Sequence, residues 1–132
     1  FSAIQATAIY ALNRAEQFIT PIRSCYRKRC DRLVDGLIKL GWQVQRPLAT
    51  FFVWIKIAEV SPFLLRSLQL NPTVDSTTFV KNLFSATKII ATPGRGFGKY
   101  GEGYIRLALC CPETVIKQAL NRLKQLPNEP FK

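Results

Sequence analysis

The sequence is organised around residues 92–109, which read TPGRGFGKYGEGYIRLAL. A loop with five glycines between positions 94 and 103 leads directly into a hydrophobic segment that alternates as a strand does. This alternation places Arg106 on one face, together with Tyr104 and Ala108, and three aliphatic residues on the other face. An arginine among apolar neighbours is rarely buried without a partner, and its rigid fork of donors matches a carboxylate or a phosphate. The stretch therefore predicts a strand that presents Arg106 to an anion.

The partner of Arg106 is expected to come from outside this strand. The nearest acid on the same face is Glu102, four residues earlier, which corresponds to ~13 Å at the rise of a strand. The loop itself does not match a nucleotide-binding motif, since it lacks the G-x-G-x-x-G and G-K-[ST] patterns and precedes a strand instead of a helix. An irregular loop without a ligand is the alternative interpretation of the glycines.

The stretch resembles the C-terminal signature of the fold-type I, class I/II, PLP-dependent aminotransferases. It is similar above all to the branch of the LL-diaminopimelate aminotransferases, which carry a comparable T-P-G-x-G-F-G-x-x-G-E-G-Y-x-R-x-A-L run. In that family the strand arginine binds the α-carboxylate of the amino-acid substrate, so the resemblance implies this role for Arg106. The first twelve residues, FSAIQATAIYAL, resemble the segment that follows the large PLP-binding domain of these enzymes. The resemblance thus implies that residues 1–132 are a single domain, the C-terminal small domain of a longer aminotransferase whose large domain is absent.

The resemblance also implies an activity for the longer parent. Such an enzyme transfers an amino group between an amino acid and a 2-oxo acid through pyridoxal 5'-phosphate, and it works as a homodimer. None of the nine lysines of this chain stands in the family's Schiff-base context. The lysine, the aspartate that pairs with the pyridine nitrogen and the phosphate-binding residues would belong to the missing domain. We therefore expect no catalytic and no cofactor-binding residue here, and a fragment that is inactive alone.

The net charge of +11, from 19 basic and eight acidic residues, raises nucleic acid as a possible partner. The basic residues are spread along the whole chain, and no nucleic-acid-binding motif is present. A solvated basic surface is therefore favoured, and nucleic acid is an unlikely partner. Two alternatives from other functional classes stay open, namely a basic nucleic-acid-binding module and a non-catalytic interaction domain.

Four cysteines and the absence of histidine limit the available chemistry. Cys25, Cys30 and the adjacent pair Cys110 and Cys111 do not have the spacing of a zinc site, so no metal is expected. Free thiols are typical of a reducing compartment, which predicts a cytoplasmic protein. Without histidine, Ser-His and Cys-His nucleophilic catalysis within this chain is excluded. No run of eighteen apolar residues occurs, and no membrane partner is predicted.

Periodicity predicts four main helices. The first two run from about 2 to 18, closed by Pro21, and from about 22 to 40, ended by Gly41. A third begins at Asp75 or Ser76 and continues to about residue 86. The last starts at Pro112 and stops at Pro127, followed by a tail.

Four strands are predicted at 42–45, 50–57, 88–92 and 104–109. Because residues 50–57 are aromatic or β-branched almost throughout, they are predicted as a central strand packed on both faces, with 42–45 as its short edge partner. Residues 59–75 allow either a short helix or a loop insertion, and the lengthened loop is favoured. The order of elements predicts an α+β fold: a two-layer small domain with a short, mainly antiparallel sheet covered by helices.

Overall fold

A three-stranded antiparallel sheet organises the computed structural model, which describes residues 1–126. Its strands are β1 (Phe52–Lys56), β2 (Thr92–Pro93) and β3 (Tyr104–Ala108), in the order β1-β3-β2. The strand that carries Arg106 is therefore the central one. This sheet and the helices that cover it confirm the predicted α+β fold class.

Five α-helices accompany the sheet in the part of the chain that the structure describes: α1 (Ser2–Asn13), α2 (Ala15–Lys39), α3 (Pro62–Ser67), α4 (Ser76–Thr87) and α5 (Glu113–Lys124). The start of α4 follows the prediction, since the Asp75 side chain accepts hydrogen bonds from the backbone N–H groups of Thr77 and Thr78. The end of α2 also agrees. Gly41 takes a φ of 82°, and its N–H donates to Ile38, a left-handed helix cap that glycine adopts without strain.

The core lies between one face of the sheet and the helices. Val53, Ile55 and Ile105 project from that face and are at most 1% exposed. They belong to one hydrophobic cluster with residues of the helices, among them Leu37 and Phe79, which are fully buried. Because α2, α4 and α5 all contribute to this cluster, the sheet is closed on this side.

The predicted boundary between the first two helices is wrong. Arg14, with φ −123° and ψ 25°, separates α1 from α2, and α2 then continues through Pro21. A proline inside a helix removes one backbone hydrogen bond and normally ends the helix. Here the later turns of α2 bury Leu33, Val34 and Leu37 in the core, and this packing outweighs the local preference of the proline.

Three strand predictions also need correction. Residues 42–45 do not form a strand, although the N–H of Gln43 donates to the carbonyl of Glu59. Residues 50–57 contain β1, but β1 is an edge strand with only one buried face, so the prediction of a central strand packed on both faces is wrong. Of residues 88–92, only Thr92 is in a strand, because Lys88 adopts the left-handed conformation that ends α4.

The segment 59–75 contains a helix and is not just a lengthened loop. Ser61 caps α3 by accepting a hydrogen bond from the N–H of Leu64 at 3.2 Å. Leu64, Leu65 and Leu68 are at most 6% exposed and belong to the core cluster. The segment therefore adds to the hydrophobic core.

The C-terminal helix begins close to the predicted position, with Pro112 as its N-cap and Glu113 as its first residue. The predicted stop at Pro127 and the tail after it lie outside the described residues. No helix within residues 1–126 is both long enough and apolar enough to cross a membrane.

Candidate anion-binding site

The second face of the sheet is open and aromatic, and Arg106 lies at its centre. In the antiparallel register Arg106 is opposite Trp54 of β1 and Thr92 of β2. Trp54 is 41% exposed, in contrast to its buried neighbours in β1. The alternation predicted for β3 is confirmed, because Ile105 is fully buried on the opposite face while Arg106 is only partly buried.

Two phenylalanine rings contact the guanidinium of Arg106. Its Cζ atom lies 3.9 Å from the ring centre of Phe52 and 4.3 Å from that of Phe97. Both distances are well within the range of a cation–π contact. The ring of Trp54 lies 5.1 Å from that of Phe97 in an edge-on arrangement. The guanidinium is therefore part of an aromatic cluster on the outer face of the sheet.

At least one of those donors has no partner. The Nε atom of Arg106 is buried and makes no hydrogen bond within residues 1–126, and Arg106 forms no ion pair in that part of the chain. A buried donor without an acceptor is costly, and a cationic donor more so. A carboxylate or another planar anion placed at this edge would satisfy it through the parallel N–H groups that arginine offers.

Glu102 is not the partner of Arg106 and has a different role. Its Oε1 atom accepts hydrogen bonds from the backbone N–H groups of Ser76, at 2.7 Å, and Gly103, at 2.9 Å. The hydrogen bond from Ser76 contributes most to a lowered pKa of the Glu102 carboxyl, followed by the one from Gly103. Its other oxygen, Oε2, is buried without a partner among the described residues.

The glycine-rich loop is closed by direct backbone contact. A Cβ atom on Gly94 would lie 1.9 Å from the carbonyl oxygen of Gly101, so these two positions meet at a distance that only glycine allows. Between them the chain forms two short 3₁₀ turns, Gly94–Phe97 and Lys99–Gly101. The predicted irregular loop is thus a folded unit, and it places Phe97 against Arg106.

Comparison with known proteins identifies the family. The model for "aminotransferase class I and II" matches residues 1–123. The chain belongs to the class I and II aminotransferase family. It is 43% identical over 124 residues to an LL-diaminopimelate aminotransferase of Halothermothrix orenii, covering 94% of this chain and 28% of that protein. It is 36% identical over 126 residues to a glutamate-pyruvate aminotransferase of Escherichia coli, again covering 28% of the relative and 96% of this chain.

Solved aminotransferase structures have the same fold. An aminotransferase from Staphylococcus aureus superposes with a TM-score of 0.77 at 28% identity, over 96% of this chain and 30% of that one. A PLP-bound aminotransferase from Clostridium difficile superposes with a TM-score of 0.68 at 20% identity, over 88% of this chain and 27% of that one. The chain thus spans less than a third of the length of the aminotransferases that it matches.

Sequence reasoning identified the arginine of this aminotransferase chain and missed the side chains around it. Phe52 was assigned to a strand without a contact, and Phe97 was one residue of a glycine-rich loop. A pairing signal was available for Phe52, because a phenylalanine diagonal to an arginine on a neighbouring antiparallel strand lies within reach of it. No local pattern places Phe97, since its position depends on the fold of the whole loop.

The basic surface of the aminotransferase chain is partly neutralised. Arg32 forms an ion pair with Glu113, and Arg46 forms ion pairs with Asp31 and with Asp35, the latter at 2.6 Å. Asp35 therefore contacts Arg46, although its spacing along the helix would also suit a lysine of α2. These pairs give this part of the surface of α2 both signs of charge.

The lysines and the metal-ligating residue types can be placed within the described part of the chain. The eight lysines within residues 1–126 are all exposed. No group of three histidine, cysteine, aspartate or glutamate side chains in that range is arranged to hold a metal ion. The buried Nε of Arg106, which has no acceptor among the described residues, is the feature of this part of the molecule that suits an anion.

Proposed function

We propose that this chain is the C-terminal small domain of a PLP-dependent aminotransferase, and that Arg106 binds the α-carboxylate of its amino-acid substrate. The single observation that carries the proposal is the guanidinium in contact with Phe52 and Phe97, with a buried Nε that lacks an acceptor within the described residues. A carboxylate supplies two acceptor oxygens at the spacing of the guanidinium fork. Membership of the aminotransferase family supports an amino acid as the carrier of that carboxylate.

The residues of this chain would then act by binding and orientation. Arg106 holds the carboxylate in the plane of its guanidinium, so the substrate can rotate only about the bond that leads to its α-carbon. Phe52 and Phe97 contact the guanidinium and remove part of its surface from water, which strengthens the charge interaction by lowering the local dielectric. Together they would fix the α-carbon at one position relative to whatever group performs the reaction.

On this proposal the described residues bind the substrate carboxylate, and the cofactor is held elsewhere in the parent. Pyridoxal phosphate, when bound, supplies the electron withdrawal that makes the bonds at the α-carbon labile. With every described lysine exposed, we assign its Schiff-base lysine and its phosphate-binding groups to the remainder of a longer parent. The length of the relatives supports this assignment, since the chain spans 28% of the two compared above. On this proposal the chain alone is inactive.

The parent would exchange an amino group between an amino acid and a 2-oxo acid. The relatives are named for LL-diaminopimelate and for glutamate and pyruvate, all of which carry the carboxylate that Arg106 would bind. We further propose a cytoplasmic homodimer, as the resemblance implies. Side-chain specificity would come mainly from residues outside this chain.

The experiment that tests the proposal begins with the intact mass of the native gene product in its source cells. A species well above 15.0 kDa is expected, and the purified protein should show the visible absorbance of a PLP-lysine adduct. It should also form a keto acid from L-amino acids when 2-oxoglutarate or pyruvate is supplied. A native species of 15.0 kDa, or a longer protein that neither binds PLP nor transaminates, would overturn the proposal.

A further inference from the structure

The position of Phe97 depends on a hydrogen-bonded connection between the glycine-rich loop and the start of α4. The backbone N–H of Ser76 donates to Glu102 Oε1 at 2.7 Å, and the hydroxyl of Ser76 accepts from the N–H of Arg95 at 3.3 Å. Ser76 is fully buried, so both hydrogen bonds are shielded from water on the serine side. We call these contacts of Ser76, Arg95 and Glu102 the loop tether.

The loop tether holds both ends of the segment that contains Phe97. Arg95 precedes Phe97 by two residues, and Glu102 follows it by five. Between the two attachment points the ring of Phe97 is 48% exposed, and its contacts are with Arg106 and Trp54. Two aromatic contacts on an exposed ring are weak compared with the freedom of a loop that contains several glycines. The ring therefore needs the loop to be fixed by other means.

We propose that Glu102, acting with Ser76, is a positioning residue that keeps Phe97 over the guanidinium of Arg106. This inference rests on the proposed function, because it assigns a partner residue to the same carboxylate site. Loss of the tether would free the loop, remove the contact of Phe97 with the guanidinium and weaken the hold of Arg106 on a carboxylate. The reacting groups themselves would stay in place, so substrate affinity should change more than turnover.

The chain offers a matched control at the same helix end. Asp75 also accepts two backbone hydrogen bonds at the start of α4, from Thr77 and Thr78, yet it makes no hydrogen bond to the loop within the described residues. Asp75→Ala should therefore weaken the helix cap without releasing Phe97. A difference between Asp75→Ala and Glu102→Ala isolates the effect of the tether from a general loss of stability.

The test uses the full-length protein loaded with PLP, with L-glutamate as amino donor. Glu102→Ala should raise the KM for L-glutamate by roughly fivefold, the factor expected for loss of the one hydrogen bond from Glu102 that reaches α4, with kcat changed less than twofold. Phe97→Ala should raise KM at least as much, and the double variant should equal Phe97→Ala alone, because the two residues act through one contact. Glu102→Gln, which keeps the acceptor oxygen, should stay close to the wild type, and Asp75→Ala should not change KM.

Hydrogen exchange supplies a readout that does not depend on activity. Amides of residues 94–103 should exchange faster in Glu102→Ala than in the wild type, and at the wild-type rate in Asp75→Ala. If Glu102→Ala does not fold, Ser76→Ala replaces it, since that change removes only the hydroxyl that accepts from Arg95. The KM values of Ser76→Ala, of Phe97→Ala and of their double variant are then compared in the same way.

The outcomes separate this inference from the proposed function. A wild-type protein that neither binds PLP nor transaminates overturns the proposed function and this inference with it. An active wild type in which the effects of Glu102→Ala and Phe97→Ala on KM add, or in which Asp75→Ala raises KM as much as Glu102→Ala, overturns the inference alone. Unchanged exchange of residues 94–103 in Glu102→Ala also overturns it.

Discussion

The two faces of the small sheet are built from alternate residues of the same strands, yet one is covered by helices and the other is partly exposed. On the inner face Val53, Ile55 and Ile105 are at most 1% exposed and contact helices on the far side of the core. On the outer face Trp54 and Arg106 pair across the strands and retain exposed surface and an unsatisfied donor. The difference indicates that the inner face forms the hydrophobic core, while the described residues leave the outer face partly exposed.

Neighbouring residues of β1 give the largest expected difference between the faces. Ile55→Ala should lower the free energy of unfolding by about 2–5 kcal/mol, because it leaves a cavity in a closed core. Lys56→Ala, one residue further and on the outer face, should change it by less than about 0.5 kcal/mol, since its ion pair with Glu59 is long and exposed. Urea denaturation of the 132-residue chain measures both. Equal losses would contradict the division between the faces.

The next largest effect is expected in the kinetics of a variant of Arg106 on the outer face. In the full-length protein Arg106→Lys should raise KM and lower kcat, with kcat/KM falling about 10- to 100-fold, because a point charge replaces a fork of parallel donors. Steady-state kinetics with an amino donor measures it. Arg66→Lys is the matched control, since Arg66 is an exposed arginine that contacts only the carbonyl of Pro62 among the described residues. Unchanged kinetics of Arg106→Lys would remove Arg106 from the substrate site.

Alanine substitutions at two glycines of the loop, Gly94 and Gly96, should differ in their effect on stability. Gly94→Ala would place a methyl group 1.9 Å from the carbonyl oxygen of Gly101, so the loop cannot close as it does. Gly96→Ala would meet nothing within 4 Å. We expect a loss of more than about 1 kcal/mol of stability for Gly94→Ala and almost no change for Gly96→Ala, both measured by thermal or urea unfolding. A comparable loss in both variants would mean that the contact with Gly101 does not hold the loop.

The difference between the faces also explains what the sequence could predict. Local signals sufficed where one residue decides the structure, as with the cap at Asp75 and the end of α2 at Gly41. The family resemblance led to Arg106 because its strand motif is long and unusual. The prediction that residues 50–57 pack on both faces was wrong because the aromatic outer face of β1 is as apolar in composition as its buried inner face. Composition alone cannot distinguish a face that is covered by helices from one that the described residues leave exposed.

The remaining errors have a tertiary cause. Pro21 predicts a helix end, but α2 passes through it because residues more than two turns later are anchored in the core. Phe97 could not be assigned to the site, since its position depends on contacts of Gly94 with Gly101 and of Arg95 with Ser76. Such contacts join residues whose partners no short pattern specifies. The position of Arg106 on the outer face could therefore be predicted from the sequence, whereas the contact of Phe97 with it could not.

The smallest expected effect is a pH dependence that originates at the border of the open face. Backbone hydrogen bonds, first that of Ser76 and then that of Gly103, hold the pKa of Glu102 below its ordinary value of 4.5. A carboxyl whose pKa is lower in the folded state stabilises the fold at pH values above its unfolded-state pKa. It loses this contribution as the pH falls through its folded-state pKa.

The wild type should therefore exceed Glu102→Gln in stability at pH 7, and the difference in stability should close below pH 4.5. The pKa of Asp75 is also lowered, mainly by the hydrogen bond from Thr78, so both proteins lose stability in acid and only their difference reports on Glu102. Urea midpoints measured from pH 7 to pH 2 give this difference, and a gap that stays constant across the range would show that the charge of Glu102 does not stabilise the start of α4.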